Sequence, residues 1–283
     1  MASWLIVGAS SFYGRSFGAY LEARGEKVIP ASLRDMKSCE VDANYVVNFA
    51  AANLVAESWD CPASYMQVNG VRFTYLLDRL RLRSFIRYVH VSTPEVYGDM
   101  TSPRDERCAF SPSTPYAVSR AAGDMMLRAY GRAYDLPYVI TRTANVYGPQ
   151  QQPYRLIPKA FEMVRAGKPF PLDGGGNTLR SYIHVRDACE ATYLIATKGR
   201  TYSTYHIATE TLHSVKEVVE MVGRVLAMPV AFEDVPERLG KDLCYQMDSS
   251  KLRRLGWSDA VRLEDGLRNY MEATSENSAA ETR

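Results

Sequence analysis

Trp4-Leu5-Ile6-Val7 is an uninterrupted apolar run that stops at Gly8, the pattern of a strand buried on both faces. Phe17, Tyr20 and Leu21 then recur at helical spacing up to Gly25, so a helix follows a glycine-bearing turn. Further apolar runs predict strands over Lys27–Ala31, Tyr45–Ala50, Tyr88–Ser92 and Tyr138–Thr141, with helical periodicity over about 63–82 and 116–134. Strand alternating with helix predicts an α/β fold, a doubly wound parallel sheet. Only twelve residues, 33–44, join the second strand to the third. That is close to the shortest crossover a parallel pair allows.

After residue 150 the pattern is less regular. A loop at Pro149–Pro153 precedes helical periodicity over 154–166, and Gly167–Asn177 is rich in Gly and Pro. Ser181–Val185 and Tyr205–Ala208 read as strands flanking a helix near 187–198, and helices follow near 214–227 and 262–272. The expected organisation is therefore interleaved. Residues 1–150 with about 181–208 form the larger unit, 151–180 with 209–272 a smaller one, and 273–283 a polar tail that frays.

Composition narrows the classes. The 283 residues are 46% hydrophobic and 23% charged, which excludes wholesale disorder. A net charge of +2 lacks the basic excess of a nucleic-acid binder. The five cysteines are scattered without a CxxC pair, so a reducing cytoplasm is expected rather than a disulfide framework. No run approaches the roughly 18 apolar residues of a membrane helix, and the apolar start at Met1–Val7 is too short for a secretory signal. His90, His184, His206 and His213 share no ligand spacing, so no metal is expected.

Three constellations carry chemistry. Gly8-Ala9-Ser10-Ser11-Phe12-Tyr13-Gly14 lies directly after a strand and opens a helix, where backbone and helix dipole favour a pyrophosphate. Two glycines alone would equally suit an ordinary strand–helix turn; the position favours the phosphate. After the second strand, Arg34 suits a 2′-phosphate and Asp35 a ribose, which leaves the cofactor as NAD(P). The second constellation, Ser92-Thr93-Pro94-Glu95-Val96-Tyr97-Gly98, closes the fourth strand, where open α/β sheets bind ligands. The third pairs Tyr116 with Arg120 on one helical face, a cation expected to lower the phenol's pKa toward that of a general base.

Together with Ala50-Ala51, Asn69, Pro112–Tyr116, Arg142–Pro149, Arg155–Pro158, Gly174–Gly176, Arg180–Asp187, Arg238–Asp242 and Leu255–Trp257, these runs give the chain a family likeness. It resembles the extended short-chain dehydrogenase/reductases that act on nucleotide sugars, especially the dTDP-glucose-like 4,6-dehydratase branch. The resemblance implies a Rossmann-like NAD(P)-binding domain holding the cofactor through Gly8, Ser10, Ser11, Phe12, Tyr13, Gly14, Arg34, Ala50, Ala51, Ser92, Tyr116 and Arg120. It implies Tyr116 as base for the sugar 4-hydroxyl, Thr93 sharing that proton, Glu95 as base for C5, and Arg120 in the lysine position. Thr93, Asn145, Arg155, Leu156, Ile157, Pro171, Leu172, Arg180 and Arg238 match positions that hold the nucleoside-diphosphate sugar. It also implies a homodimer formed through the helices near 63–82 and 116–134.

The departures are specific. Pro94 replaces the aspartic acid that protonates the departing 6-hydroxyl, Arg120 the lysine, and Ser11 the middle glycine of the phosphate loop. Leu54 and Ala52 stand where the family has His and Glu. The expected activity is transient C4 oxidation with 4,6-dehydration. 4-Epimerisation, decarboxylation, or binding without turnover are the alternatives.

Overall fold

The computed structural model describes residues 1–34 and 42–281. Asp35 and most of the 33–44 link fall outside the described residues. The strands are β1 Ser3–Val7, β2 Lys27–Ala31, β3 Tyr45–Asn48, β4 Arg87–Ser92, β5 Met100–Arg104, β6 Tyr138–Thr143, β7 Asn145–Tyr147, β8 Phe170–Asp173, β9 Leu179–Arg180, β10 Tyr182–His184, β11 Ser203–Ile207, β12 His213–Ser214, β13 Phe232–Val235 and β14 Tyr245–Met247. The helices are α1 Phe12–Glu22, α2 Pro62–Met66, α3 Phe73–Leu80, α4 Pro115–Tyr134, α5 Leu156–Arg165, α6 Val185–Lys198, α7 Val215–Leu226, α8 Ser250–Arg253 and α9 Leu263–Glu281.

Six strands form one parallel sheet in the order β2-β1-β3-β4-β6-β11. The chain steps outward from β1 to β2 and then returns to the other side of β1 for β3. That reversal opens a crevice at the carboxyl ends of β1 and β3. Alternation along β1 divides the core: Trp4 and Ile6 pack with Phe17, Val89, Val139 and Ile195 on one face. Leu5 and Val7 pack with Leu76, Leu77, Leu80 and Ile140 on the other. A third cluster, including Ile157, Phe161, Phe170, Leu172, Val218, Val222 and Leu267, belongs to the later part of the chain.

Three expectations change in detail. The third strand ends at Asn48 rather than Ala50, because the Asn48 side chain takes the Ala50 N–H at 3.0 Å. The strand expected at Ser181–Val185 is β10, and it pairs with β7 outside the central sheet. The helix expected over 63–82 is interrupted by a π-helical turn, Gln67–Arg72, that buries Asn69. Such turns recur near functional sites because they re-aim side chains. Here the Asn69 amide clasps the loop after β3, accepting from Ala52 N and donating to Ala52 O and Ser119 Oγ. At the other end of the chain, α9 runs through much of the segment expected as a tail, and the Thr274 hydroxyl donates to Tyr270 O.

Candidate functional site

The turn after β1 is built by two glycines. Gly8 has φ +83°, and a Cβ there would stand 2.7 Å from the Ala50 nitrogen. A Cβ on Gly14 would stand 2.4 Å from the Gly8 carbonyl oxygen. Ser11 occupies the missing-glycine position without obstructing it. Its hydroxyl folds back, donating to Gly8 O at 2.7 Å and accepting from Gly14 N at 3.1 Å, and so caps α1. Ser10 is exposed beside it. The Phe12 ring is buried in the core, and the Tyr13 phenol donates to Ala188 O, tying α1 to α6. What these two residues offer a phosphate is backbone N–H at a helix N-terminus. Arg34 is exposed in the turn after β2.

At the end of β4 the Ser92 hydroxyl is buried and has no partner among the described residues. An orphaned buried hydroxyl is costly unless a ligand completes it. With the glycine turn, the α1 N-terminus and the Ala50-Ala51 loop, it makes a crevice whose residues fit a dinucleotide.

Thr93 caps the short 3₁₀ turn Pro94–Tyr97 by accepting from Glu95 N at 3.3 Å. Thr114 caps α4, with Pro115 at its first position, which sets Tyr116 at the very start of the helix. Tyr116 and Arg120, four apart, are both buried on the inward face. The Arg120 guanidinium donates to Val91 O of β4.

The expected lowering of the Tyr116 phenol is corrected. Burial pushes its pKa up, and Arg120, with the neighbouring Thr93 hydroxyl, only partly offsets this. Glu95, half-buried, is pushed up to about 7, chiefly by burial and further by Asp242, against the pull of Arg180, Arg155 and Arg120.

The charges of Arg180 and Arg155 both act on the Glu95 carboxyl, and each guanidinium has the planar fork that pairs with phosphate oxygens. Arg180 is held by the Asp242 carbonyl oxygen at 2.7 Å, with its guanidinium 4.0 Å from the centroid of the Tyr245 ring. Arg238 instead pairs with Asp173 at 2.5 Å and is largely exposed. Ile157 and Leu172 are buried in the third core cluster, Leu156 and Pro171 are partly covered, and Asn145 is exposed at the start of β7.

Sequence reasoning missed the supports of this site. The Asp242 carboxylate accepts from Tyr245 Oη at 2.6 Å and from Ser113 Oγ at 2.9 Å, joining β14 to the loop before α4. The only sequence signal was Asp242 itself, inside a motif run read for its arginine. Arg142 and Asp124, both fully buried and 2.7 Å apart, gave no sign of their pairing, although Arg142 opens one of the runs that carry the family likeness.

Comparison with known proteins identifies the family. A sequence model of the family described as GDP-mannose 4,6 dehydratase matches residues 31–270. The dTDP-glucose 4,6-dehydratase of Xanthomonas campestris pv. campestris is 31% identical, with 94% of this chain and 91% of that protein covered. That of Streptomyces niveus is 35% identical over 83% of this chain and 70% of its own. Among solved structures, DesIV, the dTDP-glucose 4,6-dehydratase from Streptomyces venezuelae with NAD bound, superposes with a TM-score of 0.92 at 28% identity, covering 98% of each chain. The UDP-glucose 4-epimerase of Thermus thermophilus, in complex with NAD, gives 0.91 at 26% identity over 96% of this chain and 99% of that one. The chain belongs to the GDP-mannose 4,6-dehydratase family, within the extended short-chain dehydrogenase/reductases that act on nucleotide sugars.

Proposed function

We propose that the protein is an NAD(P)-dependent nucleotide-sugar 4,6-dehydratase that oxidises sugar C4 transiently. One observation carries this reading: Glu95, with a carboxyl near pH 7, stands in the same site as the Tyr116–Thr93 pair and two arginines suited to a diphosphate. Bound NAD(P) supplies the hydride acceptor at C4 and the hydride donor at C6. Tyr116 takes the proton of the 4-hydroxyl, and Thr93 shares it. Arg120 places a guanidinium charge beside the phenol, where the family has a lysine ammonium.

Once C4 is a ketone, the C5 proton is acidic and Glu95 removes it. Pro94 has no acid to contribute. Glu95, having just taken a proton, gives it to the departing 6-hydroxyl, so water leaves. A pKa near 7 serves both halves of this exchange. C5 is reprotonated last, which brings in one solvent hydrogen.

Arg155 and Arg180 hold the diphosphate, with Arg238, Asn145, Leu156, Ile157, Pro171 and Leu172 lining the nucleotide side. The division into a cofactor unit (1–150 with about 181–208) and a substrate unit (151–180 with 209–272) is supported by most of the third core cluster. Tyr147 and Tyr182 join that cluster from the first unit, while Tyr245, Met247, Leu252 and Trp257 pack in the first cluster from the second. Val71, Tyr75, Val118, Met125 and Met126 are exposed on the 62–80 segment and α4, which supports a homodimer through these helices. Cys61, Cys108, Cys189 and Cys244 are free thiols, which supports a reducing cytoplasm.

Incubation with NAD(P) and a panel of UDP-, dTDP-, CDP- and GDP-sugars in D2O tests the reading. A product lighter by one water that has gained deuterium at C5 is expected. Pro94 favours 4-epimerisation as the second reading, because that reaction needs no acid for a leaving hydroxyl. An isomeric product of unchanged heavy-atom composition would establish it. Loss of CO2, or nucleotide binding with no sugar altered, would overturn dehydration.

A further inference from the structure

Behind Tyr116 and Arg120 a buried polar chain continues from Asp124 through groups that the reaction itself does not use. Tyr116, Arg120 and Asp124 follow one another at four-residue intervals, and all three are buried. Asp124 Oδ2 accepts from Arg142 Nη2 of β6 at 2.7 Å. Arg142 Nη1 donates to Tyr97 Oη at 2.8 Å, and Tyr97 Oη lies 2.9 Å from His206 Nε2 of β11. His206 Nδ1 lies 3.1 Å from Asp248 O. On the far side of Asp124, His90 Nε2 of β4 is 3.4 Å from Oδ1.

The direction of each bond is fixed by what each group can do. A guanidinium only donates, so Tyr97 Oη accepts from Arg142 and must give its own proton to His206 Nε2. His206 then carries its proton on Nδ1 and donates it to Asp248 O. Burial and the Arg142 charge hold His206 at about 3, so the ring stays neutral. Burial would raise Asp124, but Arg142, His90 and Arg120 hold it at about 2. One ion pair and an ordered file of neutral donors result, with nothing to titrate near neutral pH.

Burying such a pair costs desolvation, and apolar replacements of similar volume are often no less stable. Stability alone therefore does not explain it. Its ends do: Tyr97 closes the turn that carries Glu95, and Asp124 sits on the face of α4 that carries Tyr116 and Arg120.

We infer that Arg142, clamped between Asp124 and Tyr97, is a positioning residue that fixes the Glu95 turn against the Tyr116 face of α4. The inference rests on the function proposed above, since only a reaction using Tyr116 at C4 and Glu95 at C5 of one ring needs both groups fixed together. Misplacing either by about 1 Å costs on the order of a hundredfold in rate.

The test is Tyr97→Phe, which removes one oxygen and leaves the packing of the ring. In single turnover, reduced-nicotinamide absorbance follows C4 oxidation, and loss of the label from sugar deuterated at C5 follows the Glu95 step. The variant is expected to slow the Glu95 step at least tenfold more than C4 oxidation, and to melt several degrees lower because Arg142 Nη1 and His206 Nε2 lose their partner. Equal slowing of both steps, or of neither, would overturn the inference. A second readout is independent of turnover. In protein with 13C-labelled glutamate, the Glu95 carboxyl should titrate at a different pH in the variant, because its distances to Arg180, Asp242, Arg155, Arg120, Tyr116 and Tyr245 change. An unmoved titration also sinks the inference. A parent protein inert on every sugar would refute the proposed function, and the titration would still decide the role of Arg142.

Discussion

At the scale of single residues, Glu95 shows how placement remakes a side chain. A carboxyl that ionises near 4.5 in an open chain ionises near 7 here, mainly because burial disfavours its charge. Between those values the folded state holds one more proton than the unfolded chain. Stability therefore falls as pH rises through that window and is level above it. Glu95→Gln removes the penalty. The variant is expected to gain on the order of 1–3 kcal/mol over the parent at pH 8, after allowance for solvent screening, and little at pH 4. Urea denaturation at the two pH values measures this, and an equal difference at both would contradict it. The same variant should lose deuterium entry at C5. Tyr116 carries a related lesson. Spacing put a cation beside a phenol, but the net effect depends on burial, which one sequence does not display.

At the scale of elements, the turn between β1 and α1 was legible because glycine is required there for geometric reasons. Gly8 lies in the left-handed region and its α-carbon faces the Ala50 backbone. Gly8→Ala is expected to lower the melting temperature by several degrees and weaken dinucleotide binding at least tenfold. Calorimetry and fluorescence titration check both, and an alanine variant with unchanged affinity would show the turn to be merely structural. The broken helix between α2 and α3 was not legible. Its apolar periodicity reads as continuous, and the π-helical turn arises where Asn69 reaches Ala52 and Ser119. That contact exists only after the loop and α4 have packed together. In the same way β10 reads as a sheet strand, yet pairs with β7.

At the scale of the whole molecule, the exposed apolar side chains on α4 and the 62–80 segment support the proposed dimer. Met125 is 60% exposed and points away from the core. Met125→Glu, combined with Val118→Glu, places two charges on that face and is expected to convert a dimer into a monomer of 31.8 kDa by light scattering. A parent that already runs as a monomer would remove the dimer from the proposal.

Local pattern along the chain was enough for the α/β class and the six strands of the central sheet. It was also enough to put Thr93 and Glu95 after a strand end and Tyr116 at a helix start. Strand and helix periodicities are local, and each of these residues is tied to one such boundary. What surrounds them came from the packing. The Arg142–Asp124 clamp, the Asp242–Tyr245 support of Arg180, and the raised Glu95 each join segments far apart along the chain. Their energies depend on distance and on the exclusion of water, and those are properties of the packed molecule rather than of neighbouring residues.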